Sequence, residues 1–181
     1  LAYGLGSDRE AARNAGTRHV AGYDLGGGTC DISILRITPT VGDAGEGTAF
    51  YQVLSTAGDT RLGGDDIDHA IVELVTSEIG VKLDSTEALP VESRRAIAAF
   101  ARAIKHRLSD EDSASARIEL GNGDAYERTI TRDELEAMMS PMIDRTIAAC
   151  ERSLRDAARS LDGEPIDAVV MVGGSTRIPL V

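Results

Sequence analysis

The stretch Asp24-Leu25-Gly26-Gly27-Gly28-Thr29-Cys30-Asp31 decides the fold of this chain, because strand-like sequence flanks it on both sides. His19-Val20-Ala21-Gly22-Tyr23 precedes it, and Ile32-Ser33-Ile34-Leu35-Arg36-Ile37 follows it. Three consecutive glycines take every Cβ out of the turn, so backbone N–H groups can approach a ligand closely. Successive N–H groups form a concave nest that suits an anion, above all a phosphate. The stretch therefore predicts a β-hairpin whose turn is able to hold a phosphate.

The two aspartates at the ends of this turn, Asp24 and Asp31, suit a hydrated divalent cation. Magnesium takes oxygen ligands and usually keeps several of its waters. The nest of backbone N–H groups and the two carboxylates together indicate a nucleoside triphosphate with its metal. The alternative is that the glycines only form a hairpin or a bulge. The turn is neither a Walker loop nor a dinucleotide fingerprint, because no Gly-Lys-Ser/Thr follows and the next element is a strand.

The composition of the 181 residues narrows the classes of function. With 42% hydrophobic residues, the chain can bury a core as one domain or two small ones. A formal net charge of −11 argues against a nucleic-acid partner, which would need a clustered basic patch. No apolar run approaches the roughly 20 residues of a membrane span, and no signal peptide begins the chain. We therefore expect a cytoplasmic protein without a membrane partner.

Two further features of the sequence concern its cysteines and its ends. Cys30 and Cys150 lie far apart without a CxxC or Cys/His cluster, so they predict a turn filler and a helix-core residue. The chain has no initiating methionine and stops at Ile178-Pro179-Leu180-Val181, where a helix is expected to begin. We expect a fragment of a longer protein.

Hydrophobic patterning predicts further elements after the hairpin. Residues 48–56 have good β propensity, so the first three strands would form an antiparallel meander. Apolar residues at helical spacing predict helices over 65–79 and 90–108. Two short strands, near 114–120 and 125–130, are joined by Gly121-Asn122-Gly123-Asp124, which is a strong hairpin signal.

A long helix is predicted to begin at Thr131, where Glu134 completes a capping box. Its buried stripe, predicted from helical spacing, consists of Leu135, Met138, Met139, Met142, Ile143, Ile147, Cys150 and Leu154. Residues 167–172 then predict a short, fully buried strand. Ser175 follows it as the expected N-cap of a further helix.

Three strand ends carry a glycine pair with polar neighbours, at residues 26–29, 58–66 and 173–177. In α/β sheets, ligands bind at the carboxyl ends of strands, where N–H groups and helix N-termini collect. If the three ends converge, the first two, including Gly63 and Gly64, could surround phosphates and a metal. The third could present a helix start and the planar Arg177 to a nucleoside.

These stretches also resemble one protein family. DLGGGTCDISIL, LSTAGDTRLGGDDID and AVVMVGGSTRIPLV are similar, in order and in separation, to the heat-shock protein 70 (DnaK) chaperones. The resemblance spans essentially all 181 residues, and residues 1–5 resemble the end of the helix that precedes the turn. It implies an α/β chain with the actin-like ATPase (ribonuclease H-like) fold, of which only the second lobe is present. That lobe combines a mixed sheet and helices with a small inserted α+β subdomain.

The resemblance also implies domain boundaries and ligands. A nucleotide-binding core subdomain would comprise residues 1–64 and 160–181, and an inserted helical subdomain with a short hairpin would comprise residues 65–159. The implied ligands are ATP or ADP with Mg²⁺. Asp24 and Asp31 match the acidic residues around the magnesium and its waters. Gly26, Gly27, Gly28 and Thr29 match the loop that holds the β- and γ-phosphates. Thr29 would lie near the attacking water, so Asp24, Thr29 and Asp31 are the implied catalytic residues.

The adenosine side of the site is implied in the same way. Gly173, Gly174, Ser175 and Arg177 match the adenosine-binding turn of the family, with Arg177 against the adenine. Lys105 and Ser109 match the ribose and adenine contacts of a helix over 102–109. On that helix Arg102 stands where many members have an acidic residue, and His106 stands where Arg or Ile is usual. The alternative for Lys105 is a solvated helix lysine.

Within the family, two features resemble the HscA subgroup, whose members are specialised chaperones for iron–sulfur cluster assembly. The first feature is the short segment between Ser109 and Thr131, and the second is the sequence of the stretches YDLGGGTCDISILR and GGDDIDHAI. The stretch LSTAGDT is instead closer to the general DnaK proteins. The resemblance implies a chaperone ATPase in which the nucleotide controls a distant peptide-binding domain. Its implied partners are a J-domain co-chaperone, a nucleotide-exchange factor, and an unfolded or iron–sulfur scaffold client. We expect the isolated lobe to turn over little ATP.

Two alternative functions remain open from the sequence. The first is another actin-like ATPase, either a sugar kinase or a filament protein, although neither normally carries the GGSTRIP turn. The second is a nucleotide-inactive lobe that only binds partners, against which the intact Asp24 and Asp31 argue.

Overall fold

The computed structural model describes residues 16–41, 47–83, 90–119 and 125–181. The strands, in chain order, are β1 (Arg18–Leu25), β2 (Cys30–Val41), β3 (Gly47–Asp59), β4 (Ser113–Glu119), β5 (Ala125–Thr131) and β6 (Ala168–Val172). The helices are α1 (Gly64–Leu83), α2 (Val91–Leu108) and α3 (Arg132–Leu161), and a short 3₁₀ turn covers Gly174–Arg177. The helix end expected at residues 1–5, residues 42–46 between β2 and β3, and the hairpin tetrapeptide at 121–124 lie outside the described residues.

The larger sheet has four strands in the order β3-β2-β1-β6. β1, β2 and β3 pair antiparallel, which confirms the predicted meander, and β6 joins β1 in parallel. The sheet is therefore mixed, as expected. Leu25 pairs with Cys30 and Asp24 with Asp31, so residues 26–29 form the loop of the first hairpin. We call these four residues the glycine turn.

The chain divides into two compact units. The first comprises Leu1–Leu62 and Asp144–Thr176, and the second comprises Gly63–Ile143 and Arg177–Val181. The first boundary lies close to the one expected at residue 64, whereas the second lies near residue 143 and not near 160. The compact units do not test which residues belong to each functional subdomain. The expected subdomain boundaries at 64/65 and 159/160 therefore stay a prediction.

The core of the first unit lies between the four-stranded sheet and the second half of α3. Ile34, Ala157 and Leu161 are buried together there. Ser55 Oγ of β3 donates a hydrogen bond of 2.7 Å to the carbonyl oxygen of Ser153. The predicted stripe of α3 is wrong at Ile147 and Leu154, which are 50% and 41% exposed. The side that contacts the sheet instead carries small or polar residues, namely Thr146, Ala149, Ser153 and Ala157, which permit close approach and hydrogen bonding.

The expectation of a fully buried strand at residues 167–172 is also wrong. Val169 is 62% exposed and Met171 is 46% exposed. β6 is an edge strand, and hydrogen bonds connect α3 to two other strands of the sheet, through Ser55 of β3 and Arg36 of β2. A run of apolar residues cannot distinguish an edge strand from a central one.

The second unit encloses its own apolar core. α1, α2, the β4–β5 hairpin and the first half of α3 bury aliphatic and aromatic side chains together, among them Ile71, Val75, Ile104, Leu108, Ile130 and Leu135. The predicted capping box is confirmed, because Thr131 N–H donates to Glu134 Oε2 at 2.9 Å and Glu134 N–H donates to Thr131 Oγ1 at 3.2 Å. Among the described helices, none is long and apolar enough to cross a membrane.

The burial of Ile104 predicts a large loss of stability in the variant Ile104→Ala. Ile104 is fully buried in the core of the second unit, so removal of its side chain leaves a cavity and costs about 2–5 kcal/mol of unfolding free energy. The matched control is Ile147→Ala, which makes the same change at an exposed position of α3 and costs less than about 1 kcal/mol. Urea unfolding followed by circular dichroism measures both values. Equal losses for the two variants would contradict the described core.

Candidate functional site

The glycine turn is closed by one backbone hydrogen bond and is open to solvent. Gly26 N–H donates to the carbonyl oxygen of Thr29 at 3.0 Å, while Gly27, Gly28 and Thr29 are exposed. The described glycines with positive φ are Gly163 and Gly173, so the glycine turn itself does not need the left-handed region. The advantage of glycine here is the close approach that the missing Cβ atoms permit.

Two hydrogen bonds from the protein orient the peptide planes of the glycine turn. Ser175 Oγ donates to the carbonyl oxygen of Gly26 at 2.9 Å, and Leu62 N–H donates to that of Gly28 at 3.2 Å. In a trans peptide, the N–H group points opposite to the carbonyl of the preceding residue, and the described chain has no cis peptide. The N–H groups of Gly27 and Thr29 therefore point away from Ser175 and Leu62.

Asp24 and Asp31 lie directly opposite each other on β1 and β2. Asp24 is half-buried and Asp31 is exposed. Like charges at opposed positions of an antiparallel pair repel each other, and a cation close to both would remove this repulsion. Within the described ranges, no three acidic, histidine or cysteine side chains form a metal-holding group. Two carboxylates suit Mg²⁺ that keeps most of its waters, so these residues fit a hydrated Mg²⁺ ion.

A second turn, residues 58–62, packs against the glycine turn. A Cβ on Gly58 would lie 2.5 Å from the carbonyl oxygen of Cys30 and 3.2 Å from Asp31 Oδ1. Only glycine allows the backbone to pass this close to the residues that follow the glycine turn. Leu62, at the end of the second turn, is 2% exposed and makes the hydrogen bond to Gly28.

A third turn, residues 173–176, contacts the glycine turn from β6. Gly173 has a φ of +94°, and a Cβ on it would clash with the backbone of Leu25 and lie 2.9 Å from Asp24 Oδ1. The prediction that Ser175 caps a helix is wrong. The described segment is a 3₁₀ turn, and the buried Ser175 hydroxyl bonds Gly26 of the glycine turn.

The first unit therefore brings together most of the residues expected from the sequence. Glycine clusters distant in the chain meet at the glycine turn, which positions Asp24, Gly26, Gly27, Gly28, Thr29, Asp31, Gly173, Gly174 and Ser175 around one loop. Their roles as nucleotide and metal ligands stay predictions.

The second unit holds the remaining expected residues. Gly63 N–H donates to Asp66 Oδ2 at 2.8 Å, and Gly64 begins α1. Lys105 is only 9% exposed. Its ammonium group donates to the carbonyl oxygen of Gly64 at 2.8 Å and lies 2.8 Å from Asp68 Oδ1. Lys105 is thus a paired, buried residue, and the alternative of a solvated helix lysine is wrong.

Asp68 is a residue that the sequence reasoning missed. It stands one turn after Gly64 on α1 and faces Lys105 of α2. Arg102 lies 3.6 Å from its other carboxylate oxygen. A buried carboxylate at this spacing has no local sequence signature, because its partner stands 37 positions later in the sequence.

Ser109 and Arg177 complete the expected set. Ser109 follows α2 as its C-cap, and its hydroxyl lies 3.5 Å from the carbonyl oxygen of Lys105, at the limit of a hydrogen bond. Arg177 ends the 3₁₀ turn and is exposed, so its guanidinium group is accessible from solvent.

The chain belongs to the Hsp70 family, because the family model for Hsp70 proteins matches residues 1–181. That family has the actin-like ATPase fold, and the mixed α/β structure is consistent with it.

Similar curated proteins carry the name chaperone protein HscA homolog. Those of Shewanella putrefaciens, Pseudomonas putida and Bordetella pertussis are 39%, 42% and 40% identical over 181 residues. The matches cover 100% of this chain and 26%, 25% and 26% of the three relatives. The chain thus spans about a quarter of their length. The resemblance to the HscA subgroup is consistent with these relatives.

The conformation of Gly173 predicts a severe effect of Gly173→Ala. The new methyl group would meet the Leu25 backbone in a left-handed conformation, which costs at least about 2 kcal/mol of unfolding free energy. Gly174→Ala is the matched control, because nothing lies within 4 Å of its added Cβ, and it changes stability by less than about 0.5 kcal/mol. Urea unfolding midpoints compare the two. Similar midpoints would refute the close approach at Gly173.

The environment of Cys30 predicts low thiol reactivity. Burial is the main reason that the pKa of Cys30 is raised to about 11, and Cys30 is 0% exposed. At pH 8 the reactive thiolate is about a thousandth of the total, so native Cys30 reacts with iodoacetamide at least about 100-fold more slowly than in urea. Cys150 is half-buried, and burial raises its pKa as well. Mass spectrometry of labelled peptides measures both rates. Equal native and unfolded rates at Cys30 would contradict its burial.

Proposed function

We propose that this chain forms one wall of the nucleotide site of an ATP-dependent Hsp70-type chaperone, as the second lobe of its ATPase domain. The observation that carries the proposal is the convergence of three distant glycine clusters on one exposed turn with oriented N–H groups. Membership of the Hsp70 family supports ATP or ADP with Mg²⁺ as the ligand.

In this proposal, the glycine turn binds the β- and γ-phosphates. The N–H groups of Gly27 and Thr29 donate to phosphate oxygens, and the Thr29 hydroxyl orients the attacking water. Asp24 and Asp31 hold a hydrated Mg²⁺, which supplies charge neutralisation for the phosphates. Phosphoryl transfer depends mainly on positioning and electrostatics, so donors and carboxylates on a rigid hairpin are sufficient contributions from this wall.

The proposed adenosine contacts come from both units, each taken by itself. In the first unit, the backbone of Gly173 and Gly174 approaches the nucleoside, while the Ser175 hydroxyl holds Gly26. In the second, the Lys105 ammonium group donates to the carbonyl oxygen of Gly64 and forms an ion pair with Asp68. It offers a remaining N–H donor to a ribose hydroxyl. Ser109, Arg177 and the Gly63-Gly64 pair complete the proposed contacts.

The activity of the whole protein is part of the same proposal. Hydrolysis of ATP would control a distant peptide-binding domain, with a J-domain co-chaperone, a nucleotide-exchange factor and an unfolded or iron–sulfur scaffold client as partners. The similar proteins are named HscA homologs, and the resemblance to that subgroup favours the iron–sulfur client. The chain alone would lack the groups of the other lobe and would hydrolyse ATP negligibly.

The opposed carboxylates predict two effects of Asp31→Asn. In the protein at its full natural length, the Mg²⁺-dependent gain in ADP affinity falls roughly tenfold, because a group that orients the metal waters is lost. Without Mg²⁺, the unfolding free energy rises by about 0.2–1 kcal/mol, because the repulsion with Asp24 is relieved. Isothermal titration calorimetry with and without Mg²⁺ measures the first effect, and urea unfolding measures the second.

Asp110→Asn is the matched control, since Asp110 lies in the exposed segment after α2. An unchanged Mg²⁺ dependence in Asp31→Asn, or an equal loss in Asp110→Asn, would refute the metal role. A natural-length protein that binds no ADP would favour the nucleotide-inactive, partner-binding alternative.

A further inference from the structure

Arg145 of α3 makes three hydrogen bonds to the second turn. Its Nε donates to Asp59 Oδ2 at 3.1 Å, and its Nη2 donates to the same oxygen at 2.6 Å. Nη2 also donates to the carbonyl oxygen of Arg61 at 2.9 Å. One guanidinium group thus fixes a side chain and a backbone carbonyl of the turn at once, which a single-point lysine contact cannot reproduce.

The second turn is also stabilised internally and from a second position on α3. Arg61 N–H donates to Asp59 Oδ1 at 2.9 Å, so the Asp59 carboxylate connects Arg145 to the turn backbone. Arg152, two helical turns after Arg145, donates to the carbonyl oxygen of Gly58 at 3.2 Å. The bonds from Arg61 and Arg145 lower the pKa of Asp59, so the carboxylate stays ionised and paired at neutral pH.

The second turn contacts the glycine turn and the residues that follow it at two places. Gly58 passes against Cys30 and Asp31 without room for a side chain, and Leu62 N–H holds the carbonyl oxygen of Gly28. A shift of the second turn would therefore move Asp31 or rotate the peptide plane that presents the Thr29 N–H group. All of these contacts lie within the first unit.

We propose that Arg145 is a positioning residue for the phosphate-binding turn, acting through Asp59 and the second turn. This inference rests on the proposed function, in which the glycine turn binds phosphates. The Arg145 side chain is 48% exposed and that of Asp59 is 27% exposed, and exposed ion pairs contribute little to stability. The consequence of losing Arg145 falls on the geometry of the turn and not on folding.

The test compares Arg145→Met with Arg155→Met in the protein at its full natural length. Arg155 is an exposed arginine of the same helix whose Nε bonds only the carbonyl of Glu151 among the hydrogen bonds described for it. Calorimetry measures the dissociation constants of Mg-ADP and of adenosine for each variant. Arg145→Met weakens Mg-ADP about tenfold and leaves adenosine within twofold of the parent, while Arg155→Met changes neither. Arg145→Lys restores part of the Mg-ADP affinity.

The outcomes separate the inference from the proposed function. If the parent binds Mg-ADP no better than adenosine, the glycine turn does not bind phosphates and both proposals fail. If the parent shows the phosphate preference and Arg145→Met keeps it, only the positioning role is overturned. Equal weakening of both ligands would show a general structural defect and would also overturn it. If Arg145→Met does not fold, Asp59→Asn provides the same comparison. We then expect Asp59→Asn to lose the preference for Mg-ADP over adenosine. If Asp59→Asn keeps that preference, the positioning role is overturned.

Discussion

The first unit depends on the close approach of backbones around residues 26–29. Gly58 and Gly173 each occupy a position where a Cβ would overlap the chain beside the glycine turn. These two contacts bring the end of β3 and the end of β6 to the hairpin between β1 and β2, although the three stretches are far apart in sequence. The backbone geometry of the candidate site thus depends on the absence of a side chain at Gly58 and Gly173.

The close approach becomes useful because hydrogen bonds then fix the orientation of the turn. The carbonyl groups of Gly26 and Gly28 accept from Ser175 and Leu62, so the following N–H groups face the other way. A flexible glycine loop would have to be ordered by its ligand at an entropic cost. Here the protein orients the donors beforehand, which is the condition that the proposed function needs for strong electrostatic stabilisation of a phosphate.

Much of this could be predicted from sequence, because glycine turns and strand propensity are local signals. The hairpin and the meander follow from them, whereas the sequence left the convergence of the glycine clusters as a condition that the structure of the first unit meets. The exposed Ile147 and Leu154 could not be predicted, because the buried side of α3 consists of small and polar residues that hydrophobic periodicity does not count. Arg145 and Asp59 are 86 positions apart, and no pattern links them before the helix and sheet are packed. The same holds for Asp68 and Lys105.

The Asp68–Lys105 pair helps to explain how this chain accommodates an arginine at position 102. The resemblance to the family implies an acidic residue at this position in many members, whereas this chain carries a positive charge there. Arg102 is 68% exposed and lies 3.6 Å from Asp68, whereas Lys105 is buried at 2.8 Å from the same carboxylate. The buried lysine provides the close partner, and the exposed arginine adds a weak, screened attraction. A buried charge that loses its partner is costly, so Asp68 and Lys105 stabilise each other at this buried position. Arg102 therefore adds positive charge to the exposed side of α2, while the Lys105 ammonium group lies closer to Asp68 and is the buried partner of its carboxylate.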